Sequence, residues 1–165
     1  MAADKYLKIG STGFPTEQAG ATTSTANAIP ALDAGGKLDS TMMPTGFGTD
    51  SATMTAGEAL SAGNLVYITS SGTVMKADAN AVAKAAVGFV LASISNAASG
   101  TVYFEGTVTG LTGLTPGAAQ FLSDATTGGV ISTVVSGAGK IVQPVGTAVT
   151  STTMTFEAGE PIVRA

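Results

Sequence analysis

The 165-residue chain contains no cysteine, no histidine and no tryptophan. Without cysteine there is no disulfide to report a redox compartment, and without cysteine or histidine the usual zinc and redox sites cannot be assembled. Ser-His-Asp and Cys-His catalysis are excluded because the imidazole base is missing. Charge is scarce too: charged residues make up 11% of the chain, less than half of the usual quarter. The seven basic residues are spread from Lys5 to Arg164 against a net charge of −4, so no basic cluster invites nucleic acid. No apolar run approaches the roughly 18 residues of a membrane helix, and no basic-then-apolar signal opens the chain. The expectation is a soluble chain, unprocessed by that route, with no membrane and no nucleic-acid partner.

Hydrophobic residues make up 44% of the sequence, so the surface must be built largely of Thr, Ser, Ala and Gly. Such a surface either keeps water with hydroxyls or is covered by a partner. Period-two patterning dominates from residue 50 onward, as in Leu65-Val66-Tyr67-Ile68-Thr69, and points to strands. Thr101 to Thr109, rich in β-branched and aromatic residues, reads as the clearest strand, with Gly106 as a bulge. Ala86 to Ile94 reads as the buried centre of the region. Asp78 to Ala86 is Ala-rich, yet reads as a loop or at most one helical turn. After Pro161 the tail supplies an edge strand.

The stretch Leu114-Thr115-Pro116-Gly117 with Phe121-Leu122-Ser123 answers Leu60-Ser61-Ala62-Gly63 with Tyr67-Ile68-Thr69 at a shift of 54 residues. Gly72-Thr73-Val74 is matched by Gly128-Gly129-Val130, and Val87-Gly88 by Val145-Gly146. Thr101-Val102-Tyr103-Phe104-Glu105 is matched by Thr153-Met154-Thr155-Phe156-Glu157. The shifts vary by a few residues, as loop insertions and deletions would make them. These echoes predict one β unit used twice, over about 57–105 and 111–157, related by a pseudo-two-fold. The expected fold is all-β: a small β-barrel or sandwich of two repeated units in a domain at 50–165, preceded by an extended N-terminal arm at 1–49.

Residues 1–49 carry few large apolar side chains, and Ser11 to Ala28 should be flexible when alone. Their expected role is to bind a partner through anchors at Phe14, Ile29, Leu32, Leu38, Met42, Met43 and Phe47. Met42 and Met43 are pliable plugs for an imperfect groove. Asp33-Ala34-Gly35-Gly36 is a turn signal. Asp33 and Asp39 supply too few acidic ligands for a calcium loop.

Glu58, Glu105 and Glu157 are the acids that chemistry would have to use, and the last two are equivalent in the echo. A carboxylate pair serves glycoside hydrolysis, but with 5% aromatics the chain lacks a sugar platform, and turn caps or solvent-facing ends explain these residues better. Lys84 and Lys140 precede apolar strands and read as edge charges that discourage strand addition. The glycine-rich GLTGLTPG stretch has no following helix or adjacent lysine, so it is no phosphate cradle. The expectation is therefore no enzyme, no catalytic residue, no metal and no cofactor.

Gly113-Leu114-Thr115-Pro116-Gly117, followed by Phe121-Leu122-Ser123, Gly129-Val130 and Gln143-Pro144-Val145-Gly146-Thr147-Ala148, resembles a module of virion structural proteins from tailed bacteriophages. With Ala56-Gly57-Glu58-Ala59-Leu60 and Val87-Gly88-Phe89-Val90 ahead of it, the region 50–158 resembles capsid decoration, or cement, proteins. The resemblance implies a structural protein on the outer capsid surface of the virion. Such a protein stabilises the shell by bridging neighbouring capsomers, usually as a homotrimer, with the major capsid protein as partner. Ile29-Pro30-Ala31-Leu32-Asp33 to Leu38-Asp39 is similar to stretches of phage fibres, which keeps a tail-fibre or baseplate component as the alternative.

Overall fold

A computed structural model of the chain describes residues 5–9, 15–19, 30, 32, 36–39, 42–43 and 48–165. The chain divides into two compact units, Met1–Gly48 and Thr49–Ala165. In the first, β1 (Lys5–Ile9) and β2 (Pro15–Ala19) pair antiparallel from Lys5↔Ala19 to Ile9↔Pro15. Residues 15–19 therefore form a strand within the stretch expected to be flexible. Pro15 suits the first strand position, where its missing N–H costs least.

The second unit holds two five-stranded antiparallel sheets. The first contains β3 (Ser51–Thr55), β4 (Leu65–Ile68), β5 (Val74–Lys76), β6 (Gly88–Phe89) and β7 (Ser99–Tyr103), in the order β3-β7-β6-β4-β5. The second contains β8 (Gly106–Val108), β9 (Ala119–Leu122), β10 (Val130–Ile131), β12 (Pro144–Ala148) and β13 (Met154–Phe156), in the order β8-β13-β12-β9-β10. The four strands of each sheet that carry the sequence echo, β4 to β7 against β9, β10, β12 and β13, stand in the same order, while β3 and β8 lie outside the echo. Between β10 and β12, β11 (Ile141–Val142) pairs with β14 (Ile162–Val163), the short strand expected after Pro161. No α-helix occurs among the described residues; Asp78 to Ala86 contains one 3₁₀ turn, Val82–Lys84. An isolated parallel bridge, Ala56↔Val74, brings the ends of the first sheet together, but no closed barrel forms among the described residues.

The turns correspond as closely as the strands. Asn64 N–H donates to Ser61 O at 3.0 Å and Ala118 N–H to Thr115 O at 3.0 Å, with Gly63 (φ 84°) and Gly117 (φ 81°) at the third position. A positive φ there is what a type II turn demands, and Pro116 fits the position before it. Gly63 N–H then reaches Val90 O and Gly117 N–H reaches Ala148 O, each at 2.8 Å. Gly88 and Gly146 also correspond. A Cβ on Gly88 would lie 2.7 Å from Tyr103 O, and one on Gly146 would overlap Thr155 O outright.

Two sequence expectations are corrected. Thr101 to Thr109 is not one strand: it breaks at Phe104-Glu105, and its halves, β7 and β8, belong to different sheets. Gly106, at φ 128°, lets the chain cross from one sheet to the other. Ala86 to Ile94 is not a continuous buried strand either. Only Gly88–Phe89 pairs as β6, and Val87 and Leu91 are exposed.

Two clusters form the interior. Ala56, Leu60, Val66, Val74, Val90, Ile94 and Val102 make one entirely from the first sheet and its loops. The other lies at the seam between the sheets, where Leu65 and Phe89 meet Leu122, Val145, Met154 and Phe156. Phe89 anchors it, stacked on Tyr103 at 5.5 Å and tilted against Phe156 at 5.3 Å. Burying such a ring contributes about 1.5–3 kcal/mol. The seam is not two-fold. Ala119 and Thr147, the counterparts of Leu65 and Phe89, are exposed; so are Ile68 and Val87, the counterparts of Leu122 and Val145. The sheets thus meet head to tail, each through a different face of the same topology.

Candidate binding surfaces

Among the predicted anchors, Leu32 and Leu38 are exposed, Leu32 at 56%. Met42 and Met43 are half-buried, and Met42 N–H closes a turn on Asp39 O at 3.0 Å. Gly36 has the positive φ (73°) expected of the turn before Lys37. Phe14, Ile29 and Phe47 lie outside the described residues, as does Asp33 of the calcium alternative.

Glu58, Asp78, Lys84, Asp124 and Lys140 have structural partners. A Glu58 carboxylate oxygen accepts from Lys76 N–H on β5 at 2.8 Å and so caps an edge strand, while Glu105 and Glu157 are exposed. Lys84 and Lys140 each sit beside an acid. Lys84 lies 3.9 Å from an Asp78 oxygen, and Lys140 donates to Asp124, holding that carboxyl below the usual carboxylate range. Asp78 also accepts from Asn80 N–H and Nδ2, and Asn80 Nδ2 donates to Asp124 O. Each charge is satisfied by a neighbour, so the cluster ties the loop after β5 to the loop after β9. Among the described residues no group of three or more acidic side chains is placed to hold a metal ion.

The residue that sequence reading missed as a structural element is Gln143. Its Oε1 accepts from Ala86 N–H, and its Nε2 donates to Ala86 O, each at 2.8 Å, and Nε2 also reaches Gly159 O. A side chain of the second half thereby pairs with backbone of the first as a strand would. Nothing in its sequence neighbourhood signals this. The GLTGLTPG backbone is engaged internally: Leu111 N–H bonds Thr152 O and Leu114 N–H bonds Ser151 O. That leaves those amides unavailable to an anion.

Among the open surfaces of the described residues, two lie beside strand edges. Ile162 and Val163 stand 65% and 54% exposed on β14, at the outer side of a two-stranded ladder. Beside β7, a cleft of about 370 Å³ is lined by Leu91, Ile94, Ala98, Ser99, Thr101, Tyr103 and their neighbours, none of them charged. Comparison with family models, with curated proteins and with solved structures finds no match for this chain.

Proposed function

We propose that this chain is a virion structural protein that binds the outer capsid surface and bridges neighbouring capsomers. It does so as a homotrimer, with the major capsid protein as its partner. The reading starts from the resemblance of residues 50–158 to capsid decoration proteins. The observation that carries it furthest is the outward composition of the second unit. Ile162, Val163, Val134, Val149 and Val82 all face solvent in a chain with 11% charged residues. β-branched side chains left outside with so few charges around them fit a surface that a partner covers.

The domain is read as one β unit used twice and packed as a sandwich, which the matching strand orders, turns and glycines support. Residues 1–49 serve as the arm, reaching a neighbouring subunit or the capsid through Phe14, Ile29, Leu32, Leu38, Met42, Met43 and Phe47. Ordering such a segment costs about 1–2 kcal/mol per residue in backbone entropy, so many shared contacts are needed. A trimer presents three arms at high effective concentration and supplies them.

Densitometry of purified virions tests the reading. A band near-stoichiometric with the major capsid protein is expected, whereas a far substoichiometric band assigns the chain to the tail. Deleting residues 2–49 should weaken binding to undecorated capsids; undiminished binding removes the arm from the account.

A further inference from the structure

The cleft beside β7 exists because the two halves differ in one loop. Between Val90 and Val102 the chain is six residues longer than between the corresponding Ala148 and Met154. In the second half Val149 N–H bonds Thr153 O and closes a tight turn. In the first, β6 leaves β7 after the single pair Phe89↔Tyr103, and the chain swings out to pair Ile94 with Leu60. Ala97, at φ 63° the lone non-glycine residue with positive φ among those described, holds this loop with its N–H on Ala56 O at 2.8 Å.

The departure leaves part of an inner strand open. Phe104 N–H bonds Asp50 O and Ala98 O accepts from Ala56 N–H, so the even-numbered residues of β7 point their backbone groups at β3. Alternation turns those of Ser99 and Thr101 the other way, into the cleft, where no backbone partner meets them among the described residues. The C-terminal strand presents the complement. Arg164 N–H bonds Lys140 O and Arg164 O accepts from Gly139 N–H, so Arg164 faces β11 and the backbone groups of Val163 face outward. Ile162 and Val163 add two exposed apolar side chains next to that open edge. An uncharged slot with unpaired strand groups and an uncharged strand with an unpaired edge thus occur on one chain.

We propose that β14 of one copy docks into the cleft beside β7 of a second copy. Val163 pairs with Thr101, and Ile162 and Val163 pack against Leu91, Ile94 and Tyr103. The contact joins two different surfaces and is therefore heterologous. Repetition closes it into a ring and gives every copy two such contacts. The inference deepens the self-association proposed above and rests on that part alone. It is tested on purified protein, so its failure leaves the capsid reading to be decided on virions.

The full chain should sediment as a closed oligomer. Val163→Pro, which deletes the outward N–H of β14 and leaves the Arg164 bonds to Lys140 and Gly139 in place, should reduce it to monomer. Because the chain has no cysteine, cross-linking gives a clean second readout. Directly opposed hydrogen-bonded residues lie about 5.5 Å apart at Cα, within disulfide reach. Under mild oxidation a mixture of Thr101→Cys and Val163→Cys proteins should yield the mixed dimer, identified by mass, while neither variant alone gives an efficient dimer. A wild-type chain that stays monomeric at high concentration overturns the proposal. So does an oligomer untouched by Val163→Pro, or a mixture that forms no mixed dimer.

Discussion

The two five-stranded sheets of the second unit share an order and are filled differently. In the first, Leu60, Val66, Val74, Val90 and Val102 are buried together in a cluster of their own. At the corresponding positions of the second stand Leu114 and Val130, both only half-buried, and Gln120, Ala148 and Met154, all buried. The same strand order therefore supports a self-sufficient interior in one sheet and a thin one in the other. The second sheet gains its apolar burial at the seam, through Leu122, Val145 and Phe156 against Leu65 and Phe89. Head-to-tail packing has a further consequence. Ile68 and Val87, the first-sheet counterparts of the seam residues Leu122 and Val145, are left uncovered.

The largest effect is expected where the matched glycines differ. Gly146, at φ 142° and against Thr155 O, has no room for a Cβ, whereas a Cβ on Gly88 would clash less deeply, 2.7 Å from Tyr103 O, and with no positive φ to add strain. Gly146→Ala should destabilise by about 4 kcal/mol or more and Gly88→Ala by about 2 kcal/mol. Denaturant titration reads both, and equal losses would mean that the two strand crossings are not distinct. A smaller effect of opposite sign is expected at Gln120, which donates to Ala118 O, a carbonyl that also accepts from Ala148 N–H. Gln120→Met, close in volume and apolar like Val66 at the matching position, should stabilise by about 1 kcal/mol. A loss of stability there would show that the second interior depends on its amide.

The smallest expected effect concerns the Lys140–Asp124 pair, whose acid has no counterpart in the first half: Ser70 stands at the echo position of Asp124. The Asp124 carboxyl is held low by Lys140, so the pair's contribution is present above the unfolded carboxylate pKa of about 3.9 and is lost as pH falls through the lower folded value. Wild type should exceed Asp124→Asn in stability at neutral pH, and the gap should close in acid. A gap that persists unchanged at pH values well below the carboxylate range would remove the ion pair from the account.

Strand-and-turn chemistry made much of this legible in the sequence. The Ser61–Asn64 and Thr115–Ala118 turns, the strands that follow them and the matched glycines all follow from local residue preferences. What stayed hidden depended on tertiary position. A run of β-branched residues looks the same whether it stays in one sheet or crosses between two, so the break at Phe104-Glu105 carried no signal except Gly106. Val87 and Leu91 read as core because apolar runs do not show which face is covered. Gln143 pairs with a residue 57 positions away, and no local pattern marks such a partner. For the binding surfaces, the cleft arises from a loop-length difference that the echo contained, but its unpaired strand edge needed the register of β7.

The first sheet holds itself together while the second leans on the seam. One matched pair of amides tests it: Val90 N–H on Asn64 O, at 3.1 Å, and Ala148 N–H on Ala118 O, at 3.0 Å, occupy the same place in the two halves. Native-state hydrogen exchange should be followed at both in the wild type and in Gln143→Ala, which leaves the Ala86 backbone groups without their side-chain partner. The account predicts that the substitution lowers protection at Ala148 by about 2 kcal/mol and leaves Val90 among the slowest amides. Equal loss at Val90 and Ala148 would mean that the halves open as one, and would contradict it.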